Sequence, residues 1–180
     1  DNAVKWRIAA AEIQSAAHRH LYNEDRKIFY RGLNICNNKI FKDPVVDCSS
    51  VFGAYMFGLF SNDSSEMKNS IETIKELFGI NQGTIGLPRC ENDGYRRTDN
   101  SITGNYWYIT TLWMAQYYID DNETDKAEEV LNWIKQHQLK TGMMGEQIDP
   151  ITDTIISPAP LTWSHSEYVT TLLNFIKLRK

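Results

Sequence analysis

Apolar residues recur at helical spacing in six stretches of the chain, and the stretches are of two kinds. Residues 3–22, 64–78 and 124–138 each carry one apolar stripe and one charged face, which is typical of helices that lie half in water. The others are apolar on nearly every face and carry at most one acid or base, which predicts helices buried on nearly every side. These are residues 47–60, 105–119 and 161–175.

The two kinds of helix alternate along the chain, which predicts an outer and an inner layer. Such alternation is typical of an α/α toroid or of an α-solenoid built from helical hairpins. The helices lack the sequence similarity at a fixed period that marks tandem repeats, and this favours the toroid. The sequence therefore predicts one all-α domain over residues 1–180.

The links between the helices predict where a binding pocket lies. Links from inner to outer helices are short, whereas the three links from outer to inner helices, residues 23–46, 79–101 and 139–160, are long. Because successive links in such an array fall on opposite ends, we expect the three long loops on one face, where long loops are usually functional. A short alternating segment, residues 28–33, predicts a strand in the first of them.

The second long loop carries polar and aromatic side chains suited to a sugar. It contains Arg89, Asp93 and Tyr95, and it leads into Tyr106 and Trp107. Sugars offer hydroxyl groups to arginines, carboxylates and amides, and they offer C–H faces to aromatic rings. A solvated turn before an aromatic-rich helix has the same composition, so composition leaves both interpretations open.

Charge and length narrow the classes of partner. The 180-residue chain is 42% hydrophobic, enough for a real core, and its formal net charge of −4 argues against nucleic acid or an anionic membrane surface as a partner. No apolar run approaches the roughly 18 residues that cross a bilayer. Three cysteines without a CxxC motif and the lack of a signal pattern favour a cytoplasmic protein. A start without methionine suggests a cut chain, whose missing N-terminus would hide any signal.

Carboxylates are the candidate catalytic groups. The chain has no nucleophile elbow, phosphate-binding loop or dinucleotide fingerprint, and its four histidines lack metal-ligand spacing. We therefore expect no organic cofactor and no metal, with calcium held by loop acids as an open alternative. The third long loop places one acid, Glu146, on the expected pocket face.

Three segments, GNYWYITTLWMAQYYI, GEQIDP and LTWSHSEYV, resemble the glucoamylase family of glycoside hydrolases in order and in spacing. The likeness runs from about residue 83 to residue 175. It implies an (α/α)6 barrel of six inner and six outer helices, of which this chain matches the seventh to the twelfth. The chain is then the C-terminal half of the barrel, and we expect it to pair with a missing N-terminal half or to self-associate.

The resemblance also implies inverting hydrolysis of α-glucosidic bonds from the non-reducing ends of glucan chains, with release of β-glucose. It assigns the general base to Glu146, and it implies that Ser157 supports this base. The residues that match the family's sugar-binding positions are Arg89 with its neighbour Asp93, Trp107 and Trp163. The family's general acid precedes the matched part of the barrel, so no residue of this chain is assigned to it.

Three positions depart from the family pattern. Relatives have an aromatic residue at Cys90, proline at Tyr106, and serine or proline at Gly145. We expect Cys90 and Tyr106 to line the sugar site and Gly145 to loosen the loop that bears the base. The departures keep a sugar-binding or regulatory module without catalysis as an alternative, and a helical interaction domain is a third. Half a toroid also predicts exposed tryptophan and tyrosine side chains along residues 105–119.

Overall fold

The computed structural model describes residues 1–179, and helices dominate this part of the chain. All six predicted helices are confirmed, with ends within a few residues of the expected ones, and the all-α class is confirmed with them. They are α1 (Asn2–His20), α2 (Cys48–Met56), α3 (Ser65–Leu77), α4 (Tyr108–Asp120), α5 (Thr124–Gln136) and α6 (Thr162–Leu178). None of the helices in this part of the chain is long and apolar enough to cross a membrane.

Short antiparallel strands connect these helices. They are β1 (Tyr22–Asn23), β2 (Ile28–Phe29), β3 (Gly32–Cys36), β4 (Lys39–Asp43), β5 (Tyr106–Trp107), β6 (Gln147–Asp149) and β7 (Thr154–Ile155). They form the pairs β1–β2 and β3–β4 and the three-stranded sheet β5–β6–β7.

The single strand predicted over residues 28–33 is wrong, because the chain changes partner within it. The amide of Tyr30 donates to Leu21, whereas the amide of Arg31 donates to Asp43, so the segment belongs to two hairpins. The second hairpin turns at Asn37 and Asn38, which both have positive φ (50° and 59°). Two such residues are typical of a tight type I′ hairpin turn.

The chain divides into two compact units, Asp1–Ile74 and Lys75–Lys180. In the first unit, the rings of Phe29 and Phe60 lie 4.7 Å apart and Phe52 is fully buried. Helix α2 begins after Asp47, whose carboxylate accepts a hydrogen bond from the amide of Ser49 at 2.8 Å. A capped start of this kind ends the long first loop and sets the direction of α2.

Helix α4 is the centre of the second unit. Ten of its 13 residues are buried, and α5 and α6 both pack against it. Helix α5 faces it with a stripe of Ala127, Val130, Leu131 and Ile134, so the inner character of α4 and the amphipathic character of α5 are confirmed. The expected exposure of aromatic side chains along residues 105–119 is wrong for Tyr108, Tyr117 and Tyr118, which are all buried under these neighbours.

Helices α1 and α6 expose apolar faces. Helix α6 was expected to be buried on nearly every side, yet only Ser164, Thr171 and Phe175 of its described residues are buried, and Leu173 is 53% exposed. In α1 the side chain of Trp6 is 74% exposed. An apolar pattern shows that a helix face is suited to packing, but it does not show which element packs there. Nothing in the described part of the chain covers these two faces.

We expect the isolated 180-residue chain to self-associate through these two faces. Two double variants carry glutamine in place of exposed apolar residues: one at Trp6 and Ile13 of α1, the other at Val169 and Leu173 of α6. Each should shift the species observed by analytical ultracentrifugation towards monomer, because it removes exposed apolar surface. Glu12→Gln on α1 is the control and should leave the distribution unchanged. A wild-type chain that sediments as a single monomeric species would contradict this expectation.

Candidate active site

A three-stranded sheet in the second unit brings the second and third long loops together. Trp107 of β5 pairs with Gln147 of β6, and on its other edge the amide of Trp107 donates to the carbonyl of Leu87 at 2.8 Å. Leu87 opens the segment that carries Arg89, and Gln147 directly follows Glu146. The sheet thereby joins the two segments in which the sequence predicts site residues.

The main chain of Glu146 is hydrogen-bonded to two neighbouring segments. Its amide donates to the carbonyl of Pro158 at 3.2 Å, and its carbonyl accepts from the amide of Tyr108 at 3.3 Å. The side chain is half-buried, and its Oε2 atom is buried with no hydrogen-bond partner among the described residues. Buried polar atoms nearly always have partners, so this oxygen differs from that of a solvated surface acid and suits an external donor.

Ser157 supports the segment that bears Glu146. Its hydroxyl oxygen accepts a hydrogen bond from the amide of Gln147 at 2.6 Å. The serine therefore fixes the main chain directly after Glu146, which limits the freedom of the Glu146 side chain.

Arg89, Asp93, Tyr95 and Trp107 form one cluster. The Arg89 guanidinium donates to the Asp93 carboxylate at 2.7 Å and lies over the rings of Trp107 and Tyr95, 4.9 and 5.6 Å from their centroids. Burial by itself lowers the pKa of Arg89, but the charge and hydrogen bond of Asp93 outweigh it, so the pKa of Arg89 is raised. Arg89 therefore stays a cation held between a carboxylate and two aromatic faces.

Two further buried polar atoms in this cluster lack a hydrogen-bond partner among the described residues. One is Oδ2 of Asp93, whose side chain is 2% exposed, and the other is the indole Nε1 of Trp107, which is 5% exposed. One is an acceptor and the other a donor. A ligand hydroxyl group, which both donates and accepts, matches such a pair.

A buried polar network at the sheet contains residues that the sequence did not single out. Asn105, 1% exposed, donates through Nδ2 to the Arg96 carbonyl at 2.8 Å and to Oε1 of Gln147 at 3.0 Å. The Thr98 hydroxyl donates to Asp149 at 3.1 Å. The GNYW and GEQID segments contain Asn105, Gln147 and Asp149. The sequence could have pointed to these residues through their position in the two motifs.

Trp163 lies in the first turn of α6. Its ring packs edge-to-face against Trp113 of α4, with 6.0 Å between centroids, and about half of its side chain is exposed. The next residue, Ser164, donates to the carbonyl of Gly145 at 2.7 Å. Trp163 is thus tied to the Glu146 segment through its neighbour, and its contacts are with the α4–α6 pair.

Tyr106 does not line the Arg89 cluster, and its expected place in the sugar site stays a prediction. Successive residues of a strand face opposite sides, so Tyr106 and Trp107 point apart. The Tyr106 ring packs against Trp133 of α5 and directly against Gly86, which leaves no room for a side chain at Gly86. Burial raises the pKa of Tyr106. Cys90 is buried beside Arg89 in the chain, and its place in a sugar site stays a prediction.

Gly145 does not loosen the loop, contrary to expectation. A Cβ atom at this position would lie 2.5 Å from Cγ2 of Ile155 and 3.4 Å from the carbonyl of Pro158. The glycine is needed because strand β7 crosses it at contact distance, and the loop is tightly packed there.

Gly145→Ala should therefore displace β7 and destabilise the complete protein by about 1–3 kcal/mol, the usual cost of overpacking. Ile155→Ala removes the clashing methyl group, so the double variant should regain most of the lost melting temperature. Thermal unfolding of both single variants and of the double variant measures this coupling. Strictly additive effects would show that the two residues do not clash.

The chain is similar in sequence to curated glycoside hydrolases. No family model matches it. It is similar to an uncharacterized glycosyl hydrolase of Methanocaldococcus jannaschii, with 28% identity over 182 residues that cover 94% of this chain and 27% of the relative. A stretch of 85 residues is 29% identical to trehalase 2 of Sulfolobus acidocaldarius and covers 47% of this chain and 15% of that protein. The chain thus spans about a quarter of the first relative's length.

Solved glycosidases share the fold. A bacterial glucoamylase complexed with acarbose has a TM-score of 0.77 and 20% identity, over 98% of this chain and 30% of that one. A glycosidase variant has a TM-score of 0.73 and 18% identity, over 98% and 45%. The resemblance drawn from the motifs is confirmed for the fold: the chain has the fold of solved glucoamylase and glycosidase chains, and in sequence it is similar to a glycosyl hydrolase and a trehalase.

Proposed function

We propose that the protein containing this chain is an inverting, exo-acting α-glucosidase of glucoamylase type. It hydrolyses α-1,4-glucosidic bonds of oligosaccharides and polysaccharides and releases β-glucose, with Glu146 as the general base. The observation that carries the proposal is the buried Oε2 of Glu146, which has no partner in the described part of the chain and is held at the sheet that also holds Trp107.

The chemistry asks for two carboxyl groups with different roles. In inverting hydrolysis a protonated acid donates to the leaving oxygen, while a carboxylate takes a proton from the water that attacks the opposite face of the sugar. The two groups lie about 6.5–9.5 Å apart to leave room for that water. Glu146 suits the second role because its main chain is fixed on both sides and its buried Oε2 has no hydrogen-bond partner among the described residues.

The Arg89 cluster is proposed to bind the glucose unit that is released. Arg89 offers donors, while Oδ2 of Asp93 and Nε1 of Trp107 supply one buried acceptor and one buried donor for sugar hydroxyls. Tyr95 packs next to Trp107, with 5.9 Å between ring centroids, and adds a second ring for the sugar to contact. The half-exposed ring of Trp163 offers a stacking face for the neighbouring sugar.

The general acid is proposed to come from outside this chain. We propose that the chain supplies six of the twelve helices of an (α/α)6 barrel and that the rest of the protein, or a second copy of the chain, covers the exposed faces of α1 and α6. Apolar faces as exposed as those of Trp6 and Leu173 fit helices that pack inside a larger assembly.

Trehalose is a second candidate substrate. The similarity to a trehalase over 47% of the chain favours it. Both substrates present an α-glucosidic bond, so the base and the glucose-binding cluster keep their roles, and only the group beyond the bond differs. An α-1,6-linked glucan is a third member of the same class.

Replacing Glu146 with glutamine in the complete protein should lower kcat on maltotriose or trehalose by at least about 100-fold, because an amide cannot take the proton from water, while KM stays within about 3-fold. Steady-state kinetics with glucose detection measures both constants. Glu129→Gln, an exposed acid on α5 outside the cluster, is the matched control and should match wild type.

A loss of less than about 10-fold in Glu146→Gln would contradict the base assignment. A wild-type protein that binds maltotriose, as seen by tryptophan fluorescence, but releases no glucose from any of the three substrates would instead identify a non-catalytic glucan-binding module.

A further inference from the structure

The first turn of α6 holds the loop that precedes Glu146. The amide of Met144 donates to Nε2 of His165 at 3.0 Å, and the carbonyl of Met144 accepts from the amide of Leu161 at 2.9 Å. The carbonyl of Gly145 accepts from the hydroxyl of Ser164 at 2.7 Å. Three hydrogen bonds from one helical turn therefore fix the two residues before the proposed base.

Two of these three bonds depend on side-chain identity. Leu161 contributes its amide, which any residue except proline has, whereas Ser164 and His165 contribute side-chain atoms. Met144 and Ser164 are almost completely buried, so water does not readily replace a lost partner. His165 accepts through Nε2, which requires a lone pair on that nitrogen and places any ring proton on Nδ1.

The position of Glu146 depends on these hydrogen bonds to Met144 and Gly145. Glu146 directly follows Gly145. Its amide donates a hydrogen bond to the carbonyl of Pro158, and its carbonyl accepts one from the amide of Tyr108. A shift of Met144 or Gly145 would move the carboxylate relative to the sheet that holds Trp107. Displacements of about 1 Å at a catalytic group are enough to cost on the order of 100-fold in rate.

We propose that Ser164 and His165 are positioning residues that set the Glu146 carboxylate to take a proton from the water that attacks the sugar. We call the pair the α6 clamp. The inference rests on the proposed function, since positioning matters only if Glu146 is the base. Neither side chain is assigned contact with the sugar.

The kinetic test compares His165→Leu with His165→Gln in the complete protein. Leucine removes the acceptor, whereas glutamine offers an amide oxygen at similar reach. We expect kcat on the better of maltotriose and trehalose to fall at least about 30-fold in His165→Leu with KM within about 3-fold, and glutamine to restore it to within about 5-fold of wild type. Ser164→Ala should lower kcat in the same sense. Ser166→Ala, an exposed neighbour on α6, is the control.

Hydrogen exchange at the Met144 amide tests the clamp independently of activity. Protection should fall in His165→Leu and persist in His165→Gln, because the amide loses its partner only in the first variant. Unchanged protection in His165→Leu, or a kcat within about 2-fold of wild type in both His165→Leu and Ser164→Ala, overturns the proposal. If the Glu146→Gln variant keeps its activity, the proposed function is wrong. The α6 clamp then has no catalytic role, even if the Met144 amide loses protection in His165→Leu.

Discussion

Trp107 lies between two segments that are far from it in the sequence and pairs with both. Leu87 occupies one edge of its strand and Gln147 the other. Two buried threonines in the first turn of α4 complete the joint: the Thr111 hydroxyl accepts from the amide of Leu87 at 2.9 Å, and the Thr110 hydroxyl donates to the carbonyl of Leu87 at 2.8 Å. Without this pairing, nothing in the local sequence of either loop would bring Arg89 and Glu146 to the same sheet.

Buried polar side chains add further hydrogen bonds between the two segments. Asn105 and Thr98 connect the second loop to Gln147 and Asp149 of β6. Burial raises the pKa of Asp149, but hydrogen bonds from Ile151, Thr152 and Thr98 outweigh it and lower the pKa below its usual value. Hydrogen bonds between buried groups favour one arrangement of the two segments, and preorganised groups are what an active site needs at the moment of reaction. The same backbone segments also carry buried side-chain atoms without a hydrogen-bond partner among the described residues, on Glu146, Gln147, Asp93 and Trp107.

The sequence could predict the helices because their periodicity records which face is apolar. It identified α4 and α5 correctly because both partners of their contact lie in this chain. It misjudged α6 because an apolar face does not reveal whether its partner belongs to the same polypeptide. The strands of the site have two or three residues each, too few to show any period. Residues 105–107 were therefore predicted as part of a helix, whereas Tyr106 and Trp107 form β5 and point to opposite sides.

Glu146 itself was found by loop placement and by motif, but its surroundings were not predictable. The loop before Glu146 contacts strand β7 at Ile155 and forms hydrogen bonds with helix α6 at Ser164 and His165. Such contacts depend on the path of the main chain at ångström scale, which residue spacing does not encode.

The anomeric configuration of the first product tests the central claim most directly. Proton NMR would follow the glucose released from maltotriose by the complete protein during the first minutes, before mutarotation mixes the anomers. Water activated by Glu146 on the face opposite the leaving group predicts β-glucose first, with the α anomer appearing later by mutarotation. Release of α-glucose first would mean retention of configuration, which contradicts Glu146 as the base of an inverting hydrolase.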